Sequence, residues 1–382
     1  MPSGEVKCRR KAAVSVLFTD MTDVRRENRK NEKPKDRREG PIVRYAFLLK
    51  PHANARYRAS LKKLAKAETA CILKAWGLTA EDLQDEVLGG EPFITFTVPA
   101  EGLPDGALRA LTGQSSICLA AELTEEGLLR PVPRQESGFI PAELPHILKY
   151  KGKTNPDFTF LLLHTAKAAS AFAKSDERLT VLDPMCGKGT GLFCALCEGH
   201  NAVGIETAKT CLQEADSFFE KFLQTERLKY KKSASLLPLK GKTLRKTRYE
   251  AAPDAKAQKE GNLQTLEWTC ADAVLTGEIV KKESVHLVIC DLPYGVQHAP
   301  KENGGMSTLT ELLNRVLPGC VRAMMKGGAM ALSFNLNTLK RQEVEAAMEK
   351  ASLRPLTEPP FNDFAHWVEQ AVDRDIVIGI KE

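Results

Sequence analysis

The sequence predicts an α/β fold built on a parallel sheet, preceded by a smaller α+β region. Three observations carry that prediction. From residue ~140 onward, short apolar runs alternate with helical stretches, as expected for a parallel sheet with helices on both faces. Four of the predicted strands end at or beside an acid: Asp183, Glu206, Asp272 and Asp291. The first of these acids runs directly into the glycine turn "DPMCGKGTG". In open α/β sheets ligands bind beyond the carboxyl ends of the strands, where all four acids fall.

The elements follow in order. Residues 1–39 read as a flexible, charged terminus, in which "RRENRKNEKPKDRRE" (25–39) is almost all charged and polar. "IVRYAFLLK" reads as a strand. A helix covers "ARYRASLKKLAKAETACILKAW", with Tyr57, Leu61, Leu64, Cys71 and Ile72 on one face. Strand "PFITFTV", short helix "DGALRALTG" and strand "SSICLAAEL" complete a small domain over 40–138. The second domain, 139–382, opens with helix "PDFTFLLLHTAKAASAFA" and strand "LTVLD". After the glycine turn come helix "GLFCALCEG", strand "AVGIE" and helix "KTCLQEADSFFEKFLQTE". A basic insert over 229–262 precedes strands "LEWTC" and "VHLVICD". Helix "LTELLNRVLPGCVRAMM", strand "GAMALSF", helix "RQEVEAAMEKA" and strand "DIVIGI" close the chain.

Composition narrows the function classes. An apolar content of 43% in 382 residues supplies an ordinary globular core. No apolar run reaches the ~18 residues of a membrane span, and "MPSGEVKCRRK" has no signal-peptide core. A soluble, intracellular, cytoplasmic protein with no membrane partner is expected. Ten cysteines scattered through apolar stretches read as reduced thiols. Only Cys194 and Cys197 have metal-like spacing, and two ligands fall short of a closed tetrahedral site, so no metal is expected. The net charge of +6 is concentrated in the N-terminus and the insert, which reads either as a solvated linker or as a platform for a polyanion.

The glycine turn is the centre of the chemistry. Gly187, Gly189 and Gly191 let the backbone turn sharply beside a ligand at a helix N-terminus. Lys188 after glycine invites a phosphate-loop reading. That motif needs a glycine five residues earlier, where Leu182 stands, and the chain's two GKT triplets have Ile147 and Leu236 there. Glu206, about 20 residues on, can accept both hydroxyls of a ribose. Asp272 can accept from an adenine amine. A single strand-end acid is more often a cap or turn residue; four in order, after a glycine turn, are more specific.

Together "DPMCGKGT", "VGIE", "CADA" and "DLPYG" resemble the class I S-adenosylmethionine-dependent methyltransferases. They resemble in particular the THUMP-associated tRNA guanine-N2 methyltransferases of the RNA methylase family, over roughly 140–382. "KYKGKTNPDFTFLLLHTA" resembles the segment that closes over the cofactor in those enzymes. The resemblance implies a Rossmann-like, seven-stranded sheet and S-adenosylmethionine as cofactor. It places Asp183, Cys186, Gly187 and Gly189 at the methionine end, Glu206 on the ribose, and Asp272 with Ala273 at the adenine. Thr154 and Phe158 pack against the cofactor from the other side, and Asp291, Pro293 and Tyr294 hold the target base. The chain departs from the family at Leu292, where a proline is usual, and at Lys188, where a small residue is usual. The small N-terminal domain is expected to be THUMP-like and RNA-binding by association.

An exocyclic base amine is a poor nucleophile, because its lone pair is delocalised into the ring. Acceptors that draw its protons, together with positioning, are what catalysis requires. Asp291 can accept the adjacent N–H donors of guanine, whereas adenine offers one donor and one acceptor and suits Asn better. Tyr294 can stack on an extruded base. The expected function is methylation of guanine N2, in tRNA as the first substrate class. Adenine N6 of RNA or DNA is the alternative. A binding protein that has lost turnover, or a glutamine-amine methylase, is further away. His298, His366, Trp367 and Arg374 are open between substrate contact and structural roles. Mono- or dimethylation and oligomeric state are not legible.

Overall fold

The computed structural model describes residues 42–52, 55–99, 101–150, 152–293, 301–302, 305–306 and 308–382. The charged N-terminus lies outside these residues. The first part holds β1 (Ile42–Leu49), α1 (Ala55–Ala75), β2 (Glu81–Leu88), β3 (Glu91–Pro99), α2 (Asp105–Thr112), β4 (Ile117–Leu123) and β5 (Leu129–Val132). The strands form an antiparallel sheet in the order β2-β3-β1-β4-β5. Tyr45, Phe47 and Phe96 interlock at its centre, Tyr45 stacked on Phe96 at 5.5 Å and Phe47 edge-on to it at 5.2 Å.

Two of these strands have no sequence signal. β2, "EDLQDEVL", is acidic and poor in β-branched residues, yet an edge strand tolerates charge. Arg44 and Lys66 pair with its Glu86 and Asp85. β5 carries Pro131, which an edge position permits.

Helix α1 differs from its predicted single face. Leu61, Ala65 and Ile72 join the core of the small sheet. Leu64 and Cys71, about 100° round the helix, join the core of the larger sheet. The helix is buried on two sides because it lies between two layers.

The larger part continues with α3 (Leu144–Ile147), α4 (Pro156–Ala169), β6 (Thr180–Asp183), α5 (Thr190–Cys197), β7 (Asn201–Glu206) and α6 (Lys209–Thr225). Next come β8 (Lys229–Leu239), β9 (Lys242–Ala252), α7 (Ala255–Lys259), β10 (Gln264–Cys270), a 3-10 turn (Ala273–Leu275), α8 (Thr276–Ile279) and β11 (Val285–Asp291). The paired dipeptides β12 (Lys301–Glu302) and β13 (Gly305–Met306) precede α9 (Leu309–Ala323) and β14 (Met324–Asn335). The chain ends with α10 (Arg341–Lys350), β15 (Arg354–Pro355), β16 (His366–Glu369) and β17 (Val372–Ile380).

The large sheet runs β15-β17-β14-β11-β6-β7-β10-β9-β8, with β16 also on β17. Its centre, β14 through β10, is parallel, and β17 is antiparallel to β14. This is the Rossmann-like class I methyltransferase arrangement. Residues alternate between its faces. Leu287 and Ile289 of β11 point to the α4/α5/α6 side, Val288 and Cys290 to the α9/α10 side. From β6 the chain moves out through β7 to β10, then returns to β11 on the other side. The switch point therefore lies between β6 and β11, where such sheets open a crevice.

The expected seven strands become ten, chiefly because the insert is neither linker nor loop. β8 and β9 form a hairpin in register from Lys229↔Ala252 to Leu239↔Lys242, and β9 extends the sheet at β10. Its two-residue turn, Lys240-Gly241, has positive φ at both positions, as tight hairpins require. Tyr249 is fully buried, edge-on to Phe219 and Trp268. Much of the insert's charge is engaged within the chain. Lys232 lies between Asp216 and Glu220, at 2.8 and 2.7 Å, Lys246 meets Glu267 at 2.6 Å, and Lys240 meets Glu278. Lys229, Lys231 and Lys242 remain exposed, with no ion pair among the described residues.

Among the described residues, no helix is long and apolar enough to cross a membrane. Cys194 and Cys197 are buried in α5, where burial pushes both thiols well above the usual range.

Candidate active site

The switch point opens into a cleft of about 520 Å³, a size typical of ligand sites. Asp183, Cys186, Gly187, Glu206, Asp272 and Ala273 line one end, and Thr154, Asp291 and Pro293 the other. Nine of the twelve site residues expected from the sequence are thus brought together. Tyr294, like His298, lies outside the described residues. Gly189 stands behind the wall, capping α5 in the left-handed conformation at φ 88°. Phe158 is buried away from the cleft lining; its ring lies 5.5 Å from that of His366 and 4.1 Å from the Arg374 guanidinium.

The glycine turn is tied down by backbone hydrogen bonds and by one acid. The Cys186 N–H donates to the Ile205 carbonyl at 3.0 Å, and Gly189 N–H to the Cys186 carbonyl at 2.7 Å. The Glu206 carboxylate accepts from Gly187 N–H at 2.9 Å and from Ala208 N–H at 2.7 Å, joining the turn to the end of β7. Gly191 is required for space: a Cβ there would stand 2.6 Å from Asp183 Oδ2. At Gly204 a Cβ would meet Leu192 at 2.5 Å and the Cys186 sulfur at 2.8 Å. Asp272 caps the 3-10 turn through Val274 N–H at 2.9 Å.

Lys188 does not reach into the cleft's acid cluster. Its ammonium pairs with Glu214 of α6 and lies 4.7 Å from the centre of the Tyr150 ring. Tyr150 in turn shares a hydrogen bond with Thr190 at 3.2 Å.

At the other end, Asp291 is held by two hydroxyls. Thr154 Oγ1 donates to Oδ2 at 2.5 Å and Ser333 Oγ to Oδ1 at 2.7 Å. Thr154, expected beside the cofactor, is therefore also an Asp291 ligand. Ser333 was not legible: it is a fully buried serine in an apolar strand, and only the β11–β14 register places it beside Asp291.

Three carboxyls sit within electrostatic reach of one another. Burial, with Glu206 and Asp291 adding to it, pushes the Asp183 pKa up to about 7. A mutually repelling set of acids around the buried Asp183 suits a ligand that brings positive charge. S-adenosylmethionine, with its sulfonium and ammonium, has that chemistry, and the Asp183, Glu206 and Asp272 carboxylates are the residues that would hold it.

The family model for UPF0020, the RMKL-like methyltransferase domain, matches residues 164–358, about half of the chain. The chain belongs to this methyltransferase family. Its cofactor is S-adenosylmethionine. Among curated proteins none matches the chain in sequence. Similar solved structures include a TehB-like SAM-dependent methyltransferase from Corynebacterium glutamicum, 12% identical, covering 59% of this chain and 87% of that one with a TM-score of 0.34. A magnesium protoporphyrin IX methyltransferase from Synechocystis with bound SAM is 14% identical, covering 61% and 87%, with a TM-score of 0.34. An rRNA methylase from Streptococcus thermophilus is 9% identical, covering 61% and 99%, with a TM-score of 0.31. Likenesses this distant bear on no residue of the cleft. The methyltransferase family reading rests on the matched domain.

Proposed function

We propose that this methyltransferase transfers the methyl group of S-adenosylmethionine to the exocyclic N2 amine of guanine in RNA, with tRNA as the substrate class. The observation that carries the reading is Asp291, fixed by Thr154 and Ser333 at the end of β11 and opening on the cleft. Two hydroxyls set the plane of the carboxylate, and holding it this way is compatible with accepting further N–H donors. Bound at the acid end, the cofactor supplies an electrophilic methyl group. The residues' task is then to hold the amine in line and accept hydrogen bonds from it as its nitrogen becomes tetrahedral. The amine nitrogen would gain the methyl group and lose one proton past Asp291 to solvent, the cofactor departing as its neutral thioether.

An aspartate rather than an asparagine at this position favours guanine over adenine, since guanine's pairing edge presents adjacent donors. Lys229, Lys231 and Lys242, exposed on the hairpin, support a polyanionic partner, because such cations gain from releasing phosphate counterions. The small N-terminal domain is the second candidate platform for RNA.

The test is methyl transfer from labelled S-adenosylmethionine to bulk cellular tRNA, rRNA and DNA, with products digested to nucleosides. Label in N2-methylguanosine from tRNA is the expected result. Label in N6-methyladenosine would keep the mechanism and overturn the choice of base. No label in any nucleic acid would overturn the substrate class.

A further inference from the structure

The charge of the cleft is one-sided. Among the described residues that line it stand four acids, Asp183, Glu206, Asp272 and Asp291, and a single cation, Lys188. The acids answer the sulfonium and the ammonium of S-adenosylmethionine. Its third charge meets the opposite reception: the methionine moiety also carries a carboxylate, which the same acids repel. A carboxylate drawn into such a site needs a cation or unspent N–H groups to offset what it loses in leaving water.

The glycine turn has few N–H groups to offer. Pro184 has none. Met185 N–H donates to Asp183 Oδ1 at 3.1 Å and Gly187 N–H to Glu206 at 2.9 Å. The Cys186 and Gly189 amides donate to the Ile205 and Cys186 carbonyls. Of the amides from Met185 to Gly189, the one with no bond among the described residues belongs to Lys188 itself.

The Lys188 ammonium is held in place without being used up. Its partner Glu214 has a side chain 55% exposed, and an ion pair so open to water binds weakly. An ammonium has three N–H donors, so it can serve a second carboxylate while keeping the first. On its other side lies the ring of Tyr150, at 4.7 Å. Tyr150 is itself a wall residue of the cleft, and its hydroxyl shares a hydrogen bond with Thr190, directly after the turn. The cation therefore stands beside the turn with 19% of its side chain open to solvent, within reach of a ligand.

We propose that Lys188 binds the carboxylate of the cofactor's methionine moiety. The cleft then answers each charge of a zwitterionic ligand, with acids for the positive groups and one lysine for the negative group. At this position the chain departs from the family it resembles, whose small residue has no charge to offer. The assignment concerns the cofactor and stands whichever base accepts the methyl group.

The experiment is calorimetry on the full chain with two ligands, S-adenosylmethionine and its decarboxylated form, which keeps the sulfonium and the ammonium and lacks the carboxylate. Wild type is compared with Lys188→Met and Lys188→Arg. Lys188→Met keeps an unbranched stem and removes the charge; we expect it to bind S-adenosylmethionine about 10-fold more weakly and the decarboxylated form as wild type does. Lys188→Arg should recover most of the lost affinity. Unchanged binding of S-adenosylmethionine by Lys188→Met overturns the proposal. Equal weakening of both ligands overturns it too, because Lys188 would then only support the turn.

Discussion

The two halves of the carboxyl edge are built by different means. The acid end is made of backbone turns and strand-end carboxylates from β6, β7 and β10, held by hydrogen bonds between near neighbours: Glu206 to Gly187, Glu206 to Ala208, Asp272 to Val274. The acceptor end is assembled from side chains far apart in the chain. Thr154 reaches Asp291 across 137 positions and Ser333 across 42. The first design suits a ligand common to a whole family of reactions. The second leaves each contact separately replaceable, which is what a site for one particular methyl acceptor requires.

Mutations should separate the halves. Asp291→Ala should have the largest effect, lowering methyl transfer by about 10³-fold or more while cofactor binding measured by calorimetry stays near wild type. Loss of both in a folded variant would mean that Asp291 serves the cofactor and that the division is wrong. Gly191→Ala should do the reverse. Its Cβ would press on Asp183 at 2.6 Å, so we expect cofactor affinity to fall by roughly 10-fold or more through overpacking of the turn.

The acid end should also titrate. Asp183 has a pKa near 7, so it carries its charge above that pH and sheds it below. Affinity for the cationic cofactor should therefore rise from about pH 6 to about pH 8, and Asp183→Asn should flatten the rise. Ser333→Ala is the mildest probe. Removing one of the two hydroxyls on Asp291 should cost about 1 kcal/mol of transition-state stabilisation, seen as a several-fold drop in kcat at unchanged cofactor affinity.

The same contrast explains what the sequence disclosed. Asp183, Gly187, Glu206 and Asp272 sit at the ends of apolar runs beside a glycine turn, and strand-then-turn is a local signal. Ser333 has none, because a serine ending an apolar strand has no meaning until register brings it to Asp291. The resemblance puts Phe158 against the cofactor; in the fold its ring, one helical turn beyond Thr154, packs with His366 and Arg374 and off the cleft lining. The β8–β9 hairpin was legible in its Lys240-Gly241 turn and its "TLRKTRY" run, but its charge outweighed its period-two pattern. β2 was hidden for the opposite reason: an edge strand can be acidic because its partner strand supplies the apolar face.

Among the polar contacts between the part with the small sheet and the part with the large one, one network is buried. The buried Glu68 of α1 accepts from Ser115 and lies 2.6 Å from His164 Nδ1 on α4, while His164 Nε2 is 3.4 Å from Glu198 at the end of α5. Burial alone would lower the histidine pKa, but the two carboxylates outweigh it and lift it to about 9. Combined with a helix whose adjoining faces feed separate cores, this bridge couples the folding of the two sheets. A chain cut between them would strip apolar cover from Leu64 and Cys71 on one side and part Glu68 from His164, so neither piece inherits the stability of the whole.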